Sequence, residues 1–155
     1  MKAVFFRHGP AVPHGTPGVA EDDRPLTPEG RKKTAEAAKG LRELDLEITS
    51  IYTSPLPRAR ETAEILAGIL RLSRPKILEA LLPGTPIRRL FSELRELRDE
   101  TPALVGHEPM LSAAVALAVG GKASIEMKKA GMAFVDAGVL KLLLSPAVLR
   151  KLGRA

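Results

Sequence analysis

Short apolar runs alternate with longer stretches whose apolar residues recur every three or four positions. Ala3-Val4-Phe5-Phe6 is aromatic and β-branched, which predicts a buried strand over 2–6. Ile48 to Thr53 and Ala103-Leu104-Val105 read the same way, with a shorter run at Lys76-Ile77-Leu78. Between them, Thr34, Ala37, Ala38, Leu41 and Leu44 repeat at helical spacing, as do Ala59, Thr62, Ala63, Leu66, Ile69 and Leu70. Residues 87–99 form an amphipathic repeat with Ile87, Leu90, Leu94 and Leu97 on one side. Residues 110–119 are almost wholly apolar and stop at Gly120-Gly121, which predicts a buried helix. Met132 to Val135 and Val139 to Leu144 predict a hairpin about Asp136-Ala137-Gly138, and a short basic helix closes the chain. Strands alternating with helices predict an α/β three-layer sandwich, its mostly parallel central sheet flanked by helices on both faces, as one domain over 1–155.

Local signals sharpen these bounds. Thr27 suits an N-cap, Pro28 the first helical position and Glu29 the positive end of the helix dipole. Arg89/Glu93 and Arg95/Asp99 are spaced as ion pairs on the 87–99 helix. Residues 9–25 carry Pro10, Pro13, Gly15, Pro17, Gly18 and Pro25 and predict a long loop. Loops of that length in a compact fold are usually functional. This one directly follows the first strand.

Composition narrows the classes. With 155 residues and 45% apolar positions, the chain is long enough for one sizeable core. Aromatics are 3% and tryptophan is absent, so stacking platforms for single-stranded nucleic acid are not expected. Cysteine is absent, which excludes disulfides and thiolate metal sites and fits a reducing compartment. The N-terminal run is broken by Arg7 and is too short for a signal peptide, and no apolar stretch reaches membrane-spanning length. A cytoplasmic protein is expected, with no membrane or nucleic-acid partner. The net charge of +6 favours anionic ligands, although the basic residues are dispersed among acidic ones.

The chemistry lies at three strand ends. Arg7-His8-Gly9 follows the first strand, Ser54-Pro55-Leu56-Pro57-Arg58 the second, and Gly106-His107-Glu108-Pro109 the run at 103–105. In a parallel sheet these loops leave at one edge, where ligands bind in open α/β folds. Two arginines and two histidines would then share a rim. Guanidiniums clamp phosphoryl oxygens through planar, bidentate hydrogen bonds, and helix N-termini add backbone donors. One imidazole can attack phosphorus while the other donates to a phosphate oxygen, and Gly9 would let another group, or a phosphate, approach the backbone. With arginines neutralising the charge, no metal and no cofactor is expected. Taken singly, each residue has a plainer reading. Arg58 suits an exposed helix, His107 local hydrogen bonding, Arg60 and Glu61 a solvated surface, and His14 a bystander's place among prolines and glycines.

Together these strings, with Arg24-Pro25-Leu26-Thr27, Gly30 and Glu61-Thr62, resemble the histidine phosphatase (phosphoglycerate mutase-like) superfamily over nearly the whole chain. Spacing and length are most similar to its small phosphohistidine phosphatase, SixA-type branch. The resemblance implies that His8 is the phosphorylated nucleophile and that Arg7, Arg58 and His107 form the phosphate pocket. Larger members use a carboxylate as general acid, and here its place is open. Glu79 lies in the right region, Glu108 follows the second histidine, and Asp22 and Asp23 can reach in from the long loop. Glu108 also has a simple role in the first turn of a helix.

Leaving-group chemistry turns that gap into an expectation. An alkoxide is about as basic as hydroxide, near ~15.7, and needs a proton to depart. The imidazole leaving from phosphohistidine has a pKa of ~6.5 and, protonated on its other nitrogen, departs without strong acid help. Segments 9–25 and 79–86 are the only lid candidates and are short for a lid, so a side chain on a folded protein has access. Phosphohistidine on a protein is therefore the expected substrate. A small phosphorylated metabolite, or recognition of phosphate without turnover, are the alternatives.

Overall fold

Strand β1 (Lys2–Arg7) lies inside a six-stranded sheet and is buried along Ala3 to Phe6. The computed structural model describes residues 1–155. The other strands are β2 (Ser50–Thr53), β3 (Lys76–Ile77), β4 (Pro102–Gly106), β5 (Met132–Asp136) and β6 (Val139–Leu144). Their order is β3-β2-β4-β1-β5-β6. β1, β2, β3 and β4 are parallel, and β5 and β6 add an antiparallel hairpin at one edge. Strands covered on both faces are apolar at every position, which is why β1 and β4 show no alternation.

The helices are α1 (Pro28–Glu43), α2 (Pro57–Leu70), α3 (Ile87–Glu96), α4 (Met110–Ala118) and α5 (Pro146–Arg154). Alternate strand residues serve the two faces. Val4, Phe6, Ile51, Ala103, Val105, Met132 and Phe134 pack with α1, α2 and Leu149 of α5. Ala3, Phe5, Tyr52, Leu104, Ala133 and Val135 pack with α3 and α4. At ~25 cal/mol per Å² of apolar surface, these aliphatic layers supply the main stabilisation in a chain so poor in aromatics. α1 and α5 touch backbone to backbone, and a Cβ on Gly40 would fall 1.9 Å from the Leu149 carbonyl oxygen.

Register sets the functional edge. Arg7 lies opposite Gly106, and Thr53 opposite Val105. The ladder runs one step further, with the His8 N–H donating to Gly106 O and the Ser54 N–H to Val105 O, both at 3.0 Å. His8, Ser54 and His107 therefore leave the sheet side by side.

Some boundaries differ from the sequence pattern. Thr27 caps α1 as expected, accepting from the Gly30 N–H at 2.8 Å. α3 stops at Glu96, because Leu97 turns extended and Asp99 instead accepts a hydrogen bond from the Tyr52 hydroxyl. The expected Arg95/Asp99 pair is thus lost, while Arg89–Glu93 forms at 2.8 Å. Glu61 is no solvated bystander. It pairs with Arg31 at 2.7 Å and accepts from the Leu26 N–H, tying α2 to the start of α1. No helix is long and apolar enough to cross a membrane.

Candidate active site

His8 is 5% exposed at the end of β1. Its Nδ1 lies 2.7 Å from the Gly9 carbonyl oxygen. A carbonyl only accepts, so Nδ1 carries the proton and Nε2 keeps its lone pair. Burial pushes His8 down from 6.5 to about 3; the Gly9 bond opposes this, and the Arg58 and Arg7 charges add to it. The ring is therefore neutral near pH 7, with a free nitrogen lone pair in a cationic setting.

His107 stands opposite, its ring centroid 5.2 Å from that of His8. Burial, then the neighbouring His8 and arginines, pushes it down to about 3 as well. Its Nε2 is 2.8 Å from Ser54 Oγ, and Ser54 Oγ also accepts from the Leu56 N–H. When Ser54 Oγ donates to Nε2, the proton of His107 sits on Nδ1, which has no protein partner. Arg7 is anchored by one bond to Met127 O at 2.9 Å, and Arg58 by one to Glu21 O at 3.2 Å. The Nε atoms of Arg7, Arg24 and Arg58 are buried without a partner. Buried donors of this kind call for an acceptor, and an oxyanion supplies several at once.

These groups line a cavity of about 390 Å³ together with Pro13, His14, Glu21, Arg24, Pro83, Glu108 and Lys129. Arg7, Arg24, Arg58 and Lys129 face Glu21 and Glu108, so cations outnumber carboxylates. A larger cavity of about 560 Å³ opens near Met1, Lys2 and Pro102, at the opposite ends of the strands, and holds none of these histidines. No three His, Asp or Glu side chains come together in a metal-binding group.

Arg7, His8, Arg58 and His107 thus converge. Gly9 does not face the cavity. Its N–H donates to Thr62 Oγ1 at 3.0 Å, and a Cβ there would fall 2.0 Å from Thr34 Oγ1. Its small size serves packing against α1 rather than approach of a phosphate. Glu79 is exposed and outside the cavity, as are Asp22 and Asp23. Glu108 reaches the cavity, but its carboxylate accepts from the Ser112 N–H at 3.0 Å and from the Ser112 hydroxyl, capping the first turn of α4.

Glu21 and Lys129 carried no site signal in the sequence pattern, and Arg24 entered only through the Arg24-Pro25-Leu26-Thr27 string, with no role attached. In the structure Arg24 pairs with Glu21, three residues before it, at 2.7 Å. Lys129 is brought in because the Ala130 N–H bonds the carbonyls of Arg7 and His8. The expected bystander His14 also reaches the rim, bonded through Nδ1 to Glu21.

A family model described as the histidine phosphatase superfamily (branch 1) matches residues 3–82, the stretch that holds Arg7, His8 and Arg58. The chain belongs to the histidine phosphatase superfamily. The chain is 37% identical over 148 residues to an uncharacterized protein of Picosynechococcus sp., covering 92% of this chain and 88% of that one. It is 28% identical over 120 residues to phosphohistidine phosphatase SixA of Escherichia coli strain K12, covering 75% and 73%. The solved structure of the protein histidine phosphatase SixA complexed with tungstate superposes with a TM-score of 0.86 at 25% identity, over 96% of this chain and 99% of that one. Superfamily membership and the SixA-like fold support a phosphatase.

Proposed function

We propose that the protein removes phosphate from phosphohistidine on a protein, through a covalent intermediate on His8. The observation that carries the mechanism is the fixed state of His8: Nδ1–H held on Gly9 O, Nε2 unprotonated, the ring neutral. Nε2 attacks phosphorus, the Nε2–P bond forms, the bond to the leaving nitrogen breaks, and the substrate imidazole, protonated on its other nitrogen, departs as the neutral ring. Arg7, Arg58 and the Nδ1–H of His107 hold the phosphoryl oxygens. Water then attacks phosphorus, the Nε2–P bond breaks, and inorganic phosphate leaves.

The substrate class rests on the carboxylates. Glu108 is tied to Ser112 and Glu79 is outside the cavity, so neither is placed to protonate a leaving group. A P–N bond, whose leaving imidazole departs at a pKa of ~6.5, suits such a site. The cationic rim fits a phosphorylated side chain presented by another protein, and the relation to phosphohistidine phosphatases points the same way.

Rapid-quench trapping with a radiolabelled phosphohistidine protein tests this. The wild type should accumulate an acid-labile, alkali-stable label that His8→Ala lacks. Label surviving in His8→Ala would overturn the nucleophile. Faster turnover of alkyl phosphates than of phosphohistidine would overturn the substrate class.

A further inference from the structure

We propose that His14, oriented by Glu21, is the proton donor for oxygen leaving groups, which gives the site a second activity on phosphate monoesters. This rests on the phosphatase reading above. An in-line displacement places the leaving atom opposite the nucleophile. His8 is at the buried floor, so the leaving group faces the mouth, where His14, Glu21, Glu108 and Lys129 stand. Of these, Glu108 is engaged by Ser112. His14 has one nitrogen committed, Nδ1 on the Glu21 carboxylate, and Nε2 left free.

The dyad is built into the loop rather than draped on it. Ala11 bridges Leu26, and the Val12 N–H donates to Pro25 O at 2.9 Å, closing the loop at its base. Arg24 bonds Val12 O at 3.0 Å and Glu21 Oε1 at 2.7 Å. Arg58, a member of the phosphate pocket, holds Glu21 O. The carboxylate that orients His14 is thereby tied to the clamp that holds phosphate. Glu21 itself is held down at about 2, by the Arg24 bond first and His14 second, so it stays ionised and serves as orienter, not donor. The His14 side chain is 82% exposed, so solvent can restore its proton between turnovers.

The step balances. The Nε2–P bond forms at His8, the P–O bond to the leaving group breaks, and the proton on His14 Nε2 passes to the departing oxygen. Water then attacks phospho-His8, gives its proton to His14, and the N–P bond breaks.

The test compares nitrophenyl, phenyl and alkyl phosphates with phosphohistidine in pre-steady-state bursts on the full chain. In the wild type the phosphorylation rate should depend weakly on leaving-group basicity. His14→Gln should leave phosphohistidine turnover near wild type and slow phenyl and alkyl esters by about 10²-fold, the usual scale for general acid catalysis. Equal slowing of every substrate, no slowing, or a wild type inert toward all oxygen esters would overturn the proposal while phospho-His8 still forms. The same steepening in Glu108→Gln or Lys129→Met, but not in His14→Gln, would transfer the role and also overturn it. Absence of any phospho-His8 in the wild type would instead overturn the reading beneath.

Discussion

His8 and His107 face each other with ring centroids 5.2 Å apart and ring planes tilted by 53°. Neither partner is a counter-ion, and both rings are hemmed by arginines. Two imidazoliums so close, both desolvated, would repel each other and the guanidiniums. The pocket therefore selects the neutral form of each ring. That state makes one a nucleophile and lets the other donate a hydrogen bond without spending a positive charge.

The same preference makes folding pH-dependent. Above pH 6.5 both folded and unfolded states hold the rings neutral. Between 6.5 and about 3 the unfolded chain binds protons that the folded pocket excludes, so stability falls as pH falls. Each histidine contributes at most ~1.4 kcal/mol per pH unit within that window. Urea unfolding at pH 7, 5.5 and 4.5 should show a shallower slope for His8→Asn than for the wild type. Identical slopes would show that His8 is not held neutral by the fold.

Ser54 is the side-chain hydrogen-bond partner of His107. It lies fully buried, bonded to His107 Nε2, and by donating to that nitrogen it keeps the proton of the ring on Nδ1. Ser54→Ala leaves the ring free to place its proton on the wrong nitrogen. An unsatisfied buried group costs ~1–3 kcal/mol, so kcat should fall roughly 10- to 100-fold. KM for phosphohistidine should change much less. Steady-state kinetics with kcat at the wild-type level would remove Ser54 from the donor chain.

Unpartnered donors should make the fold respond to oxyanions. Arg7, Arg24 and Arg58 each keep a buried Nε without an acceptor, and His107 a buried Nδ1. Tungstate at 100 times its Kd would stabilise the folded state by ~2.7 kcal/mol. For a chain of this size that is a rise in Tm of roughly 5–10 °C. Sodium chloride at equal ionic strength should give little of it, and Arg58→Met should lose most of it. A shift equal to that with chloride would mean no specific oxyanion site.

The sheet and its functional edge were legible because they depend on local signals. Continuous apolar runs mark β1 and β4, and the loop after each starts with polar residues whose chemistry is plain. Arg7, His8, Arg58 and His107 needed only parallel strands to come together. Side chains positioned by the fold of a loop were not legible. Arg24, Glu21 and His14 reach the cavity through bonds to Val12, to Arg58 and to one another, which no periodicity encodes. Lys129 arrives through a backbone bond from Ala130 across more than a hundred residues. The end of α3 was misplaced for a related reason, since the Tyr52 hydroxyl competes for Asp99 from another strand.

Of the two neighbours a glycine at position 9 can admit, another group or a phosphate, the structure has the first, Thr34 of α1. A Cβ there would meet Thr34 Oγ1 at 2.0 Å, with Thr34 Cβ at 3.3 Å and Gly30 O at 3.5 Å behind it. Thr34 is fully buried and its hydroxyl has no partner, so that oxygen is the main obstacle and makes no hydrogen bond that would be missed. Gly9→Ala alone should destabilise by about 1–3 kcal/mol through overpacking, and should shift His8 through its bond to Gly9 O. Thr34→Ala alone should cost less than a satisfied hydroxyl would, because an unpaired buried polar group leaves with it. The double variant should recover much of the loss, a favourable coupling of about 1 kcal/mol in a double-mutant cycle by chemical unfolding. If Gly9 instead served the phosphate, Gly9→Ala would impair tungstate binding at full stability, and Thr34→Ala would not restore it. Additive unfolding energies in the two variants would reject the packing role.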